Sequence, residues 1–183
     1  MLTVLVIDES RARAGEICAG LALAGYQVAA ILAGADNLTA EVERLQPDVI
    51  LIDTDSPSRD TLENLAAMNK DMPRPVVIFT QEDGRETIRD AVRAGVSAYV
   101  VDGLDPKRIK PIVEVARARF EDTQALRREL DEISQKLTDR KLVDKAKGVL
   151  MKARGLDEEA AYHAMRKLAM ERGQTIAKVA RDV

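Results

Sequence analysis

Short apolar runs alternate with amphipathic stretches over the first 105 residues, and the pattern changes character near Pro106. Thr3–Ile7, Val28–Leu32, Val49–Ile52, Val76–Phe79 and Ala98–Val101 are rich in valine and isoleucine and largely free of polar interruptions. Strands buried on both faces have this composition, as a parallel sheet requires. Between them, Arg11–Ala24, Asp36–Leu45, Arg59–Lys70 and Arg85–Ala94 carry apolar residues at helical spacing. Gly25 and Gly95 follow the first and last of these, where a helix C-terminus favours a left-handed residue. The repeat predicts an α/β domain with a five-stranded, doubly wound parallel sheet and helices on both faces.

Beyond Pro106 the strand pattern stops. No glycine occurs from Lys107 to Arg140, and Pro111 falls near the start, where a first helical turn tolerates it. Ile112, Ala116, Arg119, Thr123, Leu126, Leu130, Ile133 and Leu137 step by four or three residues, an a/d heptad register. Its second half, Leu126, Leu130, Ile133 and Leu137, is an apolar seam flanked by charges. Such a helix either lies on its own domain or forms a two-stranded coiled coil. The lack of any further sheet to cover favours the coiled coil, and with it a homodimer. Three helical stretches follow: Arg140–Arg154, ending at Gly155; Glu158–Glu171, behind the N-cap Asp157; and a short one capped by Thr175. The predicted organisation is an α/β domain over 1–106, a coiled-coil linker helix over 107–139 and an all-α three-helix domain over 140–183.

Composition narrows the functional classes. The chain has 183 residues, 46% hydrophobic, enough for one core and a small appendage. Tryptophan is absent and aromatics make up 3%, so base stacking cannot be the main binding device. One cysteine, Cys18, and one histidine, His163, exclude an internal disulfide, a thiolate metal site and paired-histidine catalysis. No run of about 18 apolar residues exists and no basic leader precedes Leu2–Ile7, so a cytoplasmic protein without membrane contact is expected. The net charge of −3 conceals an asymmetry. Residues 140–183 hold eleven Lys and Arg against six Asp and Glu, a net of +5, which leaves −8 for the rest. That split predicts a basic output module on an acidic regulatory one.

In a parallel α/β sheet the site forms at the C-terminal ends of the strands. Asp8 and Glu9 follow the first strand, Asp53 ends the third and Thr80 ends the fourth. Three converging carboxylates would suit Mg²⁺ through oxygen ligands, and the carboxylate on the third strand would then suit a phosphoryl group. Asp8–Glu9, Asp53, Thr80 and Gly95 before Ser97–Ala98–Tyr99 resemble the receiver domain of two-component response regulators across residues 1–105. The resemblance implies a flavodoxin- or CheY-like fold, Asp53 as phospho-acceptor, a possible Mg²⁺ site at Asp8, Glu9 and Asp53, and a pocket that includes Thr80. One departure stands out. Receivers carry a phosphoryl-binding lysine after the fifth strand, and here Asp102 falls near that place. Exchanging attraction for repulsion there involves roughly 4 kcal/mol per pair at ~4 Å and moderate dielectric. Stable modification of Asp53 is therefore not expected, no cofactor is required, and the receiver is expected to serve as a protein-docking platform.

On a helical wheel Leu142, Val143, Ala146, Val149, Leu150 and Ala153 share one side of the first basic helix. Lys141, Lys145 and Lys152 line up opposite with Gly148 in their row, and Lys147 sits on a flank. A mid-helix glycine costs about 1 kcal/mol relative to alanine, which makes sense if another backbone approaches closely. The alternative is a solvated lysine face. On the next helix Ala160, Ala161, Ala164, Met165 and Leu168 form the expected packing face, with Arg166 and Lys167 off it. Lys141, Lys145, Lys147, Lys152, Arg166 and Lys167 are the candidate RNA contacts. Arg140, Ala146–Lys147–Gly148–Val149–Leu150–Met151, Ala161–Tyr162, Met165–Arg166 and Ala169 resemble the ANTAR domain of bacterial transcription antiterminators over 137–183. The whole chain is similar to the NasT-like antiterminators of nitrate and nitrite assimilation. The resemblance implies binding to paired hairpins in a leader transcript and control by a sensor partner protein. Two other outputs stay open: a phosphorylation-dependent regulator that binds RNA or duplex DNA, and a protein-docking adaptor. An enzymatic output is disfavoured, because the tail holds no acid–base pair, nucleophile or metal cluster.

Overall fold

A computed structural model describes residues 1–9, 13–101 and 105–183. The strands are β1 (Thr3–Asp8), β2 (Gln27–Leu32), β3 (Val49–Asp53), β4 (Val76–Thr80) and β5 (Ala98–Val101). The helices are α1 (Ala14–Leu23), α2 (Leu38–Leu45), α3 (Arg59–Asp71), α4 (Arg85–Arg93), α5 (Pro106–Arg154), α6 (Glu158–Arg172) and α7 (Ile176–Arg181). The strands pair in parallel in the order β2-β1-β3-β4-β5, the flavodoxin-like order with its switch point between β1 and β3.

The sheet is covered on both faces, which is why its strands read as unbroken apolar runs. Leu5, Ile7, Ile50, Ile52, Val76 and Ile78 face Leu38 and Val42 of α2, Leu62, Leu65 and Met68 of α3 and Ala91 of α4. The alternate residues Val4, Val6, Val49, Leu51, Val77 and Phe79 face Ile17 and Leu21 of α1 and Ile109, Val113 and Ala116 of α5. The expectation that the helix after Pro106 has no sheet to cover therefore fails for its opening turns. A parallel sheet cannot leave a face wet, and α1 alone does not cover this one. Gly20 lets α1 and α5 cross closely: a Cβ there would lie 2.8 Å from Ile109 Cδ1 and 3.0 Å from Pro106 Cβ. Beside this contact the Tyr26 hydroxyl donates to Glu114 Oε1 at 3.0 Å, and burial pushes the phenol up to about 12.

Boundaries follow local chemistry. Ser58 caps α3 by accepting from the Thr61 N–H, Asp157 caps α6 through Ala160, and Thr175 caps α7 through Lys178. Gly95 takes φ +92°, and a Cβ there would meet Asn69 Nδ2 at 2.5 Å, so neither the backbone nor the space accepts a larger residue. Pro111 is the sixth residue of α5, one turn later than the sequence suggests, and cannot donate to the Lys107 carbonyl.

Two compact units emerge, Met1–Thr123 and Gln124–Val183, with α5 continuous through the division. The charge change at Arg140 falls inside α5, without a break in the backbone. The second unit has its own small core of Ala146, Met165, Ala169, Val179 and Ala180, lined by Leu142, Val143, Leu150, Leu168 and Ile176. Val149, Ala153 and Ala164, expected on packing faces, are exposed instead. The face of α6 runs through Ala161, Met165 and Ala169, a plain i, i+4 line that leaves Ala164 outside. Among the described residues no helix is long and apolar enough to cross a membrane.

The anchoring of α5 is testable. Ile109→Ala removes a fully buried side chain from the second face and should destabilise the receiver unit by about 2–4 kcal/mol in denaturant unfolding. A loss below about 1 kcal/mol would contradict the packing described.

Candidate functional site

The switch point gathers the acidic pocket. The β1–β3 register sets Asp8 directly beside Asp53, and both are fully buried. Glu9 is drawn away from them. Its Oε2 accepts from Thr54 Oγ1 at 2.6 Å and its Oε1 from Thr61 Oγ1 at 3.0 Å. Thr80 is likewise occupied: its hydroxyl donates to the Asp55 carbonyl at 2.8 Å and accepts from the Glu82 N–H at 3.1 Å. Asp102 lies outside the described residues.

The partner of Asp53 is one the sequence reading missed. Arg13, just before α1, puts Nε 3.0 Å from Asp53 Oδ2, and an Nη lies 3.6 Å from Asp55 Oδ1. Asp53 Oδ1 has no hydrogen-bond partner among the described residues, and the contact at Oδ2 is an ion pair off the hydrogen-bond line. The available signal was position: Arg13 follows the first strand by five residues, so it was a candidate cation for the strand-end carboxylates.

A receiver would be expected to place Mg²⁺ here, and the residues do not fit it. Among the described residues no three His, Cys, Asp or Glu side chains are grouped so as to hold a metal. Mg²⁺ demands near-ideal octahedral oxygen geometry, whereas the Glu9 carboxylate is taken by two threonine hydroxyls and a guanidinium stands at Asp53.

Burial, the Asp8 and Asp55 charges and Arg13 compete over Asp53. Burial is the largest influence and the Asp53 carboxyl is held above its ordinary value, with Arg13 only partly opposing it. A carboxyl raised in the folded state binds more protons there than in the unfolded chain, so stability falls as pH climbs from the ordinary value of 3.8 through the folded one. Asp53→Asn should therefore raise the melting temperature at pH 7, with the gain shrinking toward pH 4. A lower melting temperature at pH 7 would show that the ion pair outweighs burial.

The second unit presents the basic surface. Lys141, Lys145, Lys152 and Arg166 are exposed and make no ion pair among the described residues. Gly148 lies in the row of Lys141, Lys145 and Lys152, and a Cβ there would meet nothing within 4 Å. The close approach expected at Gly148 is thus not made by the described residues. Val149, 42% exposed, and Tyr162, 40% exposed, add apolar and aromatic surface to this unit. Lys167 lies 4.0 Å from Glu171.

Lys147 differs from the other lysines. Its Nζ is 2.8 Å from Asp144 Oδ1 and 2.7 Å from Glu158 Oε1, with the side chain 16% exposed. It ties α5 to the start of α6, an engagement that the other candidate lysines of this helix lack among the described residues. The hydrogen bonds to Asp144 and then Glu158 hold its pKa above the ordinary 10.5, and the Lys147 bond holds Asp144 below 3.8. Both charges are in place between those ordinary values, and the clamp is lost only as pH falls through the lowered Asp144 value or rises through the raised Lys147 one. Lys147→Met should lower the thermal stability of the second unit across neutral pH. An unchanged melting temperature would return Lys147 to the solvated lysines.

Comparison with known proteins matches residues 4–114 to the response regulator receiver domain and residues 131–183 to the ANTAR domain. The transcriptional regulatory protein PdtaR of Mycobacterium tuberculosis (strain ATCC 25618 / H37Rv) is 30% identical over 159 residues, 87% of this chain and 78% of that protein. The nitrate regulatory protein of Klebsiella oxytoca is 38% identical over 80 residues, 44% of this chain and 20% of that protein. The CheY-like response regulator receiver domain protein from Methanospirillum hungatei JF-1 superposes with a TM-score of 0.58 at 21% identity, over 67% of this chain and 98% of that one. At that identity the last match speaks for the fold alone.

Proposed function

The chain belongs to the response regulators that join a receiver domain to an ANTAR domain, and we propose that it is an antiterminator that binds paired hairpins in a leader transcript. The observation that carries this reading is Gly148. It gives up about 1 kcal/mol of helix propensity in the middle of an exposed lysine row, and no atom of the described residues lies within 4 Å of where its Cβ would be. An RNA backbone can take that space, with Lys141, Lys145 and Lys152 on its phosphates and Arg166 beside them. Lys167 contributes once released from Glu171. Phosphate contacts of this kind position the RNA, and unpaired loop bases supply sequence readout.

Dimerisation completes the proposal. Leu126, Leu130, Ile133 and Leu137 are 62, 65, 48 and 56% exposed, so none of them is buried against the described residues. A second copy on that seam brings two basic modules to one transcript, and the linked pair gains effective concentration. Release from a sensor protein, in nitrate and nitrite assimilation, is the control we assign, in line with the name of the Klebsiella relative. The protein acts in the cytoplasm and needs no cofactor to bind RNA.

Titration of labelled one-hairpin and two-hairpin RNAs across a salt series tests the reading. Two-hairpin RNA should bind at least ~10-fold more tightly than one hairpin. Lys145→Ala with Lys152→Ala should flatten the log–log salt slope by about 1.5, as two lost phosphate contacts require. Gly148→Ala should stabilise the second unit by up to about 1 kcal/mol yet weaken RNA binding. Unchanged affinity and slope in the double variant, or tighter binding to duplex DNA, would sink the assignment.

A further inference from the structure

The pocket at the head of the sheet carries an inference independent of the RNA reading. We infer that Arg13 is the resident counter-ion of Asp53, occupying by a tethered side chain the electrostatic role that a divalent cation would otherwise fill, and that it closes the pocket to Mg²⁺.

The parallel register leaves the fold no choice about bringing Asp8 and Asp53 together, since each ends a neighbouring strand. Two carboxylates fully buried side by side must protonate or be met by a cation. Arg13 supplies the cation at 3.0 Å from Asp53 Oδ2 and reaches Asp55 as well, with a third of its side chain open to solvent. The other groups that would complete an oxygen cage are engaged elsewhere. Glu9 holds two threonine hydroxyls, and one of them, Thr61, lies in the first turn of α3, so releasing Glu9 would strip a buried hydroxyl of its partner. Thr80 is fixed by Asp55 and Glu82. A metal entering this pocket must expel the guanidinium, rotate Glu9 and find its remaining ligands in water. A tethered group competes at a high effective concentration without losing translational freedom, which favours Arg13 over a weakly held ion.

A consequence follows for regulation. The resting receiver carries its own positive charge at Asp53, so a signal that acts through this pocket must displace Arg13 and does not depend on the supply of metal.

Thermal unfolding of the full chain against a Mg²⁺ series, with NaCl matching the ionic strength, reads this directly. The wild type should show no Mg²⁺-specific change. Arg13→Met and Arg13→Gln should gain one, a rise of about 3–5 °C once Mg²⁺ exceeds its dissociation constant ~10-fold. Adding Asp53→Asn to either variant should abolish the gain. Mn²⁺ broadening of amide resonances near Asp8 and Asp53 in the wild type gives a second measurement that needs no variant, and it should be absent. Broadening there, equal Mg²⁺ responses in wild type and Arg13 variants, or no response in any of them would each overturn Arg13 as the group that closes the pocket.

Discussion

A parallel sheet must be covered on both faces, and that single requirement organises this chain. Helices α2, α3 and α4 seal one face, while α1 and the first turns of α5 seal the other. Ile109, Val113 and Ala116 are thereby committed to the receiver core, and the helix that carries them continues without interruption to Arg154. The element that closes the regulatory domain is thus also the first helix of the output domain. The far end of that helix contributes Leu142, Ala146 and Leu150 to the second core.

The same parallel geometry forces the acidic ends of β1 and β3 together, and the chain resolves the resulting repulsion internally. Each polar group of the pocket for which a partner can be named finds it close by in the protein: Glu9 in Thr54 and Thr61, Thr80 in Asp55 and Glu82, Asp53 in Arg13. A site built in this way resists ligands that would need several of those contacts broken at once.

Charge is used differently in the second unit. Lys147 is spent on structure, bridging Asp144 and Glu158 so that α6 stays on α5. Lys141, Lys145 and Lys152 are left to solvent around Gly148, whose Cβ position meets none of the described residues within 4 Å. Adjacent lysines on one helix therefore fall into two groups, one that builds the surface and one that offers it. Spacing alone cannot separate them, because the deciding carboxylate, Glu158, lies on another helix.

The sequence by itself determined the strand set, the helical tail, the caps at Asp157 and Thr175 and the acidic cluster at the strand ends. Each of these is local, encoded by runs of β-branched residues, by helical spacing or by one side chain bonding a neighbouring amide. It also made the Leu126–Leu137 seam legible, since a 3–4 step of apolar residues reads the same in any context. Only the tertiary structure decided that α5 begins as a receiver helix, that Arg13 meets Asp53, that Glu9 turns toward Thr61 and that Lys147 is consumed by Glu158. Those pairings join residues 11 to 52 positions apart, on different elements, and the choice among competing partners depends on burial and on which atoms come within about 3 Å. Periodicity places a residue on a face of its own element, whereas the energy of an ion pair or a buried hydroxyl is set by what the neighbouring element puts opposite it.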